Sequence, residues 1–188
     1  MKPLKLLCIS LVLFVFVPAS AQKFAVKSGD LSKLKGVTEM KVVFDYSVTA
    51  IGEFEHMDDY VQHRYDEYEE KEEGKGKEWK KEWYNDRETR DQVKFEGQFS
   101  KYSAKFDARR DIESDVVMTV KTMFIEIGFD VIAASKPSII DLDIIFSDSN
   151  GEIAIVSVEK AKGYGWLIDE AYSAAGKKLG KYLDKSVK

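Results

Sequence analysis

The run from Ile139 to Ser147 constrains this chain more than any other segment. Ile140, Leu142, Ile144 and Phe146 alternate with Asp141, Asp143 and Ser147. Period-two alternation makes a strand with one buried face and one wet face. Glu152 to Glu159 follows as a hairpin partner, and the register between the two can be derived. A two-residue Asn150-Gly151 turn would set Ile144 opposite Ser157 and Leu142 opposite Glu159, mixing charge into the apolar face. A three-residue loop, Ser149-Asn150-Gly151, sets Phe146 opposite Ala154, Ile144 opposite Val156 and Leu142 opposite Val158. Only the second leaves one apolar face, so it is the predicted register, with Gly151 in the left-handed position of a bulged turn. A hairpin that is greasy on one side needs cover, which points to a sheet with helices laid on it.

The remaining elements fit that scheme. Residues 22–36 read as an extended lead-in with turns at Gly29 and Gly36. Val37 to Val48 reads as a strand, with Met40, Val42, Phe44 and Tyr46 on one face and Glu39, Lys41 and Asp45 on the other. Val43 interrupts the polar side and predicts burial there too. Residues 57–72 switch to helical spacing, with Met57, Tyr60, Val61, Tyr65 and Tyr68 on one stripe and Asp58 and Asp59 at the positive end. Gly74-Lys75-Gly76 stops this helix. A second helix carries Trp79 and Trp83 on one side. A third begins near Asp86 and aligns Phe95, Phe99, Tyr102 and Phe106. Val116 to Ile127 is β-branched and reads as a strand. A closing helix over about 167–184 buries Ile168, Tyr172, Ala175, Leu179 and Tyr182. Its Gly176 and Gly180 each weaken a helix by about 1 kcal/mol, so a neighbouring backbone is expected to need the room. The order β-α-α-α-β-β-β-α predicts an α+β fold. Its single mixed, largely antiparallel sheet has about four strands, and a charged helical section at about 57–106 lies within one domain spanning 22–188.

The first 21 residues have a different character. Lys2 and Lys5 precede a short apolar run, Leu6 to Val17, and Ala19-Ser20-Ala21 precedes Gln22. This is the pattern of a cleaved secretory signal with its cut between Ala21 and Gln22. The run is too short to span a bilayer, and Cys8 lies at its start, badly placed for a lipid anchor. Cleavage removes the sole cysteine, so no thiol serves catalysis, redox work or metal binding. It also takes the formal charge from −4 to −6, which argues against a nucleic-acid partner. No transmembrane segment is expected after cleavage, and the product is expected in the periplasm or outside the cell.

SGDLSKLKG in the lead-in, the strand VVFDYS and the closing EAYSAAGKKLGKYL together resemble a family of uncharacterised secreted proteins from Bacteroidetes, over most of the chain after the signal. The element order also looks like the small α/β module at the N-terminus of the Tol-Pal protein TolB and in the curli secretion channel. Those modules act in envelope assemblies through protein contacts, so the resemblance implies a protein partner.

Candidate chemistry is sparse. His56, Asp59 and His63 have spacings of three and four and on a helix beginning near His56 would share a face able to hold zinc; a solvated helix face is the preferred reading, a start after His56 would spoil the geometry, and no metal is assigned. Asp148-Ser149-Asn150-Gly151 starts like a calcium loop but lacks the distant ligands. No Gly-x-Ser-x-Gly elbow accompanies the two histidines, and no phosphate-cradling loop is present. A carboxylate-dependent hydrolase has no identifiable pair among 33 acidic residues. No catalytic residue and no cofactor is assigned. Trp79, Trp83 and Tyr84, and separately Tyr164 and Trp166 among glycines, are candidate binding aromatics, able to stack on a sugar or anchor a partner; the simpler reading, and the preferred one, is that Trp79 and Trp83 cap the core from a covering helix and that Trp166 packs as a staple at a tight entry turn. Between Arg64 and Lys94 lie 9 basic and 11 acidic residues. Mixed signs at helical spacing describe a solvated face, not a nucleic-acid patch. The expected function is a non-enzymatic envelope protein that binds another protein or a second copy of itself. The alternative is a small-ligand or glycan-binding module using exposed tryptophans.

Overall fold

A computed structural model describes residues 22–188. The predicted export segment, Met1 to Ala21, lies outside the described residues. The chain runs β1 (Lys23–Gly29), a 3-10 turn (Leu31–Leu34), β2 (Glu39–Asp45), β3 (Ala50–Ile51), α1 (Met57–Lys71), α2 (Lys75–Asp86), a π-helical stretch (Arg87–Asp91), α3 (Gln92–Tyr102), β4 (Asp107–Arg109), β5 (Val117–Glu126), β6 (Phe129–Val131), β7 (Ala134–Lys136), β8 (Ile139–Asp148), β9 (Gly151–Lys162) and α4 (Ile168–Ser186). The fold is α+β, as expected.

The main sheet is larger and more evenly mixed than the expected, largely antiparallel sheet of about four strands. It has seven strands in the order β1-β9-β8-β5-β2-β4, with β3 also paired to β5. β1, β9, β8 and β5 pair antiparallel, while β2 with β4, β2 with β5 and β3 with β5 pair parallel. The missed strands have a common cause. β3 and β4 are two and three residues long, too short to show a period. The lead-in forms edge strand β1, most of it exposed, so it carries no apolar alternation. β6 and β7 form a separate, fully exposed hairpin.

The derived pairing holds in the body of the β8–β9 hairpin. Leu142 faces Val158, Ile144 faces Val156 and Phe146 faces Ala154. The tip differs from the expected three-residue loop. Asp148 pairs with Gly151 and Ser147 with Glu152, so the loop has two residues, and the extra residue is Ile153, a bulge on β9 opposite the step from Phe146 to Ser147. The bulge lets Ile153 enter the core while the apolar register beyond it is kept. Gly151 has φ +117°, and Asp148 Oδ1 accepts the Asn150 N–H at 2.7 Å, which accounts for the residues of the calcium-like motif.

Met40, Val42, Met118, Val120, Ile140, Leu142, Ile144, Phe146, Ala154, Val156 and Val158 are buried on one sheet face. Helices α3 and α4 cover it. The other face carries ion pairs such as Lys27 with Asp143 (2.6 Å) and Lys121 with Asp45 (3.6 Å). Val43 is on that side and is 43% exposed, so the expectation of burial on both faces fails: among the described residues no helix covers it. The third helix is shorter than its pattern suggests. Phe95 and Phe99 are buried in it, whereas Phe106 reaches the core from beyond its end. The expected close approach to α4 is present. A Cβ at Gly176 would collide with the Phe95 carbonyl oxygen, and one at Gly180 would lie 2.8 Å from the Phe99 carbonyl oxygen. Among the described residues no helix is long and apolar enough to cross a membrane.

Candidate functional site

The site is built where the charged helical section meets the sheet's open end. Gly74 takes the left-handed conformation at φ +89° and turns the chain back on itself. Glu69, near the end of α1, then accepts the N–H groups of Gly74 (2.8 Å) and Gly76 (3.0 Å). A carboxylate on the unpaired N–H groups of a helix start is favourable. Gly76 is buried with its Cβ position 2.5 Å from the Tyr65 carbonyl oxygen, so a side chain there would push the helices apart. Gly74-Lys75-Gly76 therefore both ends one helix and begins the next.

This pairing lays α2 antiparallel to α1 and zips their aromatics together. Tyr68 stacks on Trp79 (5.7 Å), Trp79 on Trp83 (5.6 Å), and Tyr60 contacts both tryptophans (6.1 and 5.5 Å). Two arginines close the ladder at its ends. Arg64 lies over Tyr68 (4.9 Å) and Trp79 (6.0 Å). Arg87 lies over Tyr46 (4.8 Å), Trp83 (5.7 Å) and Tyr84 (4.7 Å). Cation–π contacts of this kind contribute about 0.5–1 kcal/mol each at exposed sites.

α2 does not end before α3. Asp86, Arg87, Asp91 and Gln92 all keep right-handed helical dihedrals, and the π-helical stretch between them widens the turn. Such insertions recur at functional sites because they re-aim side chains without breaking the rod. Here Asp91 is turned inward, only 8% exposed. Burial and the nearby Asp169 and Asp86 push its carboxyl up to about 7, against the pull of Arg90 and Arg87. Asp169, in the first turn of α4, behaves oppositely. Its burial opposes charge, but Lys94 (3.0 Å) and Arg90 (3.2 Å) bind it and hold it below the usual carboxylate value. Tyr46 is pushed by burial up to about 12 and accepts a hydrogen bond from Gln92 at 3.5 Å.

These groups surround a cleft of about 440 Å³. One wall is the α1–α2 arm, with Tyr60, Tyr68, Trp79 and Trp83. The facing wall is Ile125, Ile127 and the loop Trp166-Leu167-Ile168. The candidate aromatics thus divide. Trp79 and Trp83, half-buried, and Trp166, 59% exposed at the rim, are brought together from distant parts of the sequence. Tyr84 packs on Arg87 outside the cleft wall, and Tyr164 is 68% exposed beside Trp166. The glycines around Tyr164 mark a tight turn, in which the Leu167 N–H bonds the Tyr164 carbonyl at 3.0 Å. Arg64, Arg87 and Asp91 were not singled out in the sequence, because in a segment of mixed charge nothing distinguishes inward from outward residues.

The trio His56, Asp59 and His63 does not form a metal centre. His56 precedes the first turn of α1 in extended conformation, which removes it from the shared face, and His63 packs on Phe54 at 5.4 Å. Among the described residues no group of three or more His, Cys, Asp or Glu is placed to hold a metal.

No protein-family model matches this chain, and no curated protein matches it. Among solved structures, a dodecamer of a PelC variant from Paraburkholderia phytofirmans aligns with 89% of this chain and 99% of that one, at 10% identity and a TM-score of 0.39. A likeness of that size assigns neither fold nor function.

Proposed function

We propose that this protein is an exported, non-enzymatic binding module whose ligand places a sugar ring or other flat ring against the tryptophans of the cleft. The observation that supports this is convergence: Trp79 and Trp83 from the α1–α2 arm and Trp166 from a loop late in the chain line one cavity. Concave sites of a few hundred cubic ångströms, aromatic with a few polar groups, are the usual form of a small-molecule site. The export part of the proposal rests on Lys2, Lys5, Leu6–Val17 and Ala19–Ala21. A broad panel of sugars and cell-wall fragments, read by tryptophan fluorescence and by melting temperature, tests the binding part. At least one compound is expected to change both signals. Saturation at a hundred times Kd adds about 2.7 kcal/mol of stability, and Trp83→Ala is expected to abolish the effect. A panel that moves neither signal overturns the reading.

A protein partner, a second copy included, is the second reading. It is supported by a different observation: Phe129, Val131 and Ile132 are exposed on the β6–β7 hairpin, and Tyr164 and Trp166 are exposed beside it. The Ser138 N–H, just after that hairpin, bonds the Gly165 carbonyl at 2.6 Å and joins the two segments. Crosslinking in the producing cell should recover a specific protein; a strictly monomeric protein with nothing attached contradicts it.

A further inference from the structure

Seven charged side chains line the cleft: Arg64, Glu82, Asp86, Arg87, Arg90, Asp91 and Asp169. Most are already neutralised. Arg64 pairs with Glu67, and Arg90 pairs with Asp86 and Asp169 at 3.2 Å each. Glu82 is exposed at the mouth, where water screens it. That leaves Arg87 and Asp91 inside. Among the described residues Arg87 forms no ion pair, and its hydrogen-bond acceptor is the Met57 thioether, which carries no charge and accepts only weakly. Below about pH 7 Asp91 is mostly protonated, because of its burial and the nearby Asp169 and Asp86. Two further donors, Trp83 Nε1 and Arg64 Nε, are buried without an acceptor. An unmet buried donor costs about 1–3 kcal/mol, so each calls for a partner. The inner cleft is therefore rich in donors, poor in acceptors, and carries one uncompensated positive charge.

We infer that the cleft selects rings that bear a carboxylate, with the ring on Trp79 and Trp83 and the carboxylate on the Arg87 guanidinium. This rests on the reading of the cleft as a binding site and names its ligand class: an acidic sugar or a flat aromatic acid. Guanidinium is suited to the carboxylate because its planar N–H fork matches the two oxygens. Asp91 makes the selection depend on pH. The groups facing it are Asp86, Arg87 and Arg90 on its own helical path, Asp169 and Tyr172 from α4, and Tyr46 after β2. Its ionisation would set a second negative charge against the ligand's.

The test uses two matched pairs, read by calorimetry on the intact protein: trigalacturonate against its methyl ester, and 1-naphthoate against 1-naphthamide. At pH 6 the acid of at least one pair should bind ten times or more tighter than its neutral partner, and which pair responds tells an acidic sugar from an aromatic acid. Arg87→Met should remove that preference. Binding of the acid should weaken by up to about tenfold per pH unit above 7, and Asp91→Asn should flatten that dependence. Equal binding of acid and neutral probes, or an acid preference that survives Arg87→Met, overturns the inference and leaves the cleft a binding site. No binding by any of the four probes overturns the inference, and the broader sugar panel then decides whether the cleft binds anything.

Discussion

Two helix pairs in this molecule use the same device and reach different ends. α3 and α4 approach closely because Gly176 and Gly180 admit the backbone around Phe95 and Phe99. α1 and α2 approach closely because Gly76 admits the Tyr65 carbonyl. The first pair lies on the sheet, and its aromatics Phe95, Phe99 and Tyr172 are fully buried. The second pair joins the core through Met57 and Val61 of α1, and its tryptophans stay half-buried along a cleft. Close packing alone therefore does not decide whether an aromatic residue is core; what covers its outer side does. Phe44 meets Phe95 edge-on at 5.7 Å and completes the core around it. Trp79 and Trp83 pack against the core on one side, and on the other meet aromatics, two arginines and an open cavity.

That contrast is easiest to break with one truncation in each pair. Phe95→Ala should cost about 3–5 kcal/mol, whereas Trp79→Ala, half-exposed at the start, should cost about 1–2 kcal/mol, by the area it leaves. Urea unfolding measures both. Equal losses would mean that the arm is as much a part of the core as α3.

Acid should sharpen the comparison from the cleft side. Asp91 holds its proton up to about 7 in the native chain, against an ordinary value of 3.8. Between those values the folded chain keeps a proton that the unfolded chain has released. Its contribution is complete below pH 3.8 and is lost as pH rises through about 7. The loss is at most about 4 kcal/mol by the linkage relation. Melting temperature measured at fixed ionic strength should fall over that range, and Asp91→Asn should make the curve flatter and the protein more stable at about pH 8. A variant whose curve overlays the parent's would show that Asp91 is already ionised in the fold.

Smaller effects separate the two glycine contacts. Gly176→Ala should cost about 1–3 kcal/mol through overpacking and lower the global melting temperature. Gly76→Ala should change the global melt less but shift tryptophan emission, because it spreads the arm that holds Trp79 and Trp83. Smallest of all, Ile132→Ser on the exposed hairpin should stay within about 0.5 kcal/mol of the parent. A large loss there would show that the hairpin packs on something in solution.

What was legible in the sequence follows the same division. Where one face is buried and the other wet, the pattern prints itself: the body of the β8–β9 register and the centre of the α4 stripe, Tyr172, Ala175 and Leu179, were readable, down to the glycines that meet Phe95 and Phe99, whereas at the ends of α4 the expected Ile168 and Tyr182 are half-buried and Leu183 is buried instead. The bulge at Ile153 was not, because a bulge and a longer loop give the same apolar register and differ only at the tip. Edge strand β1 and the short parallel strands β3 and β4 were invisible, since they are fixed by pairing partners far along the chain and not by their own periodicity. In the site, the tryptophans could be named as binding candidates from residue type alone. Their convergence with Trp166 could not, nor could Arg87 and Asp91, which are aimed inward by a π-helical turn that leaves no mark in a run of mixed charges.

The central claim is that the three tryptophans form one binding surface, and their indole N–H resonances report on it directly. Adding trigalacturonate and 1-naphthoate separately to 15N-labelled protein should, for at least one of them, move the Trp79, Trp83 and Trp166 signals together, saturably and with a single Kd. Signals that stay fixed with both probes, or that move one at a time with different affinities, would contradict a shared site.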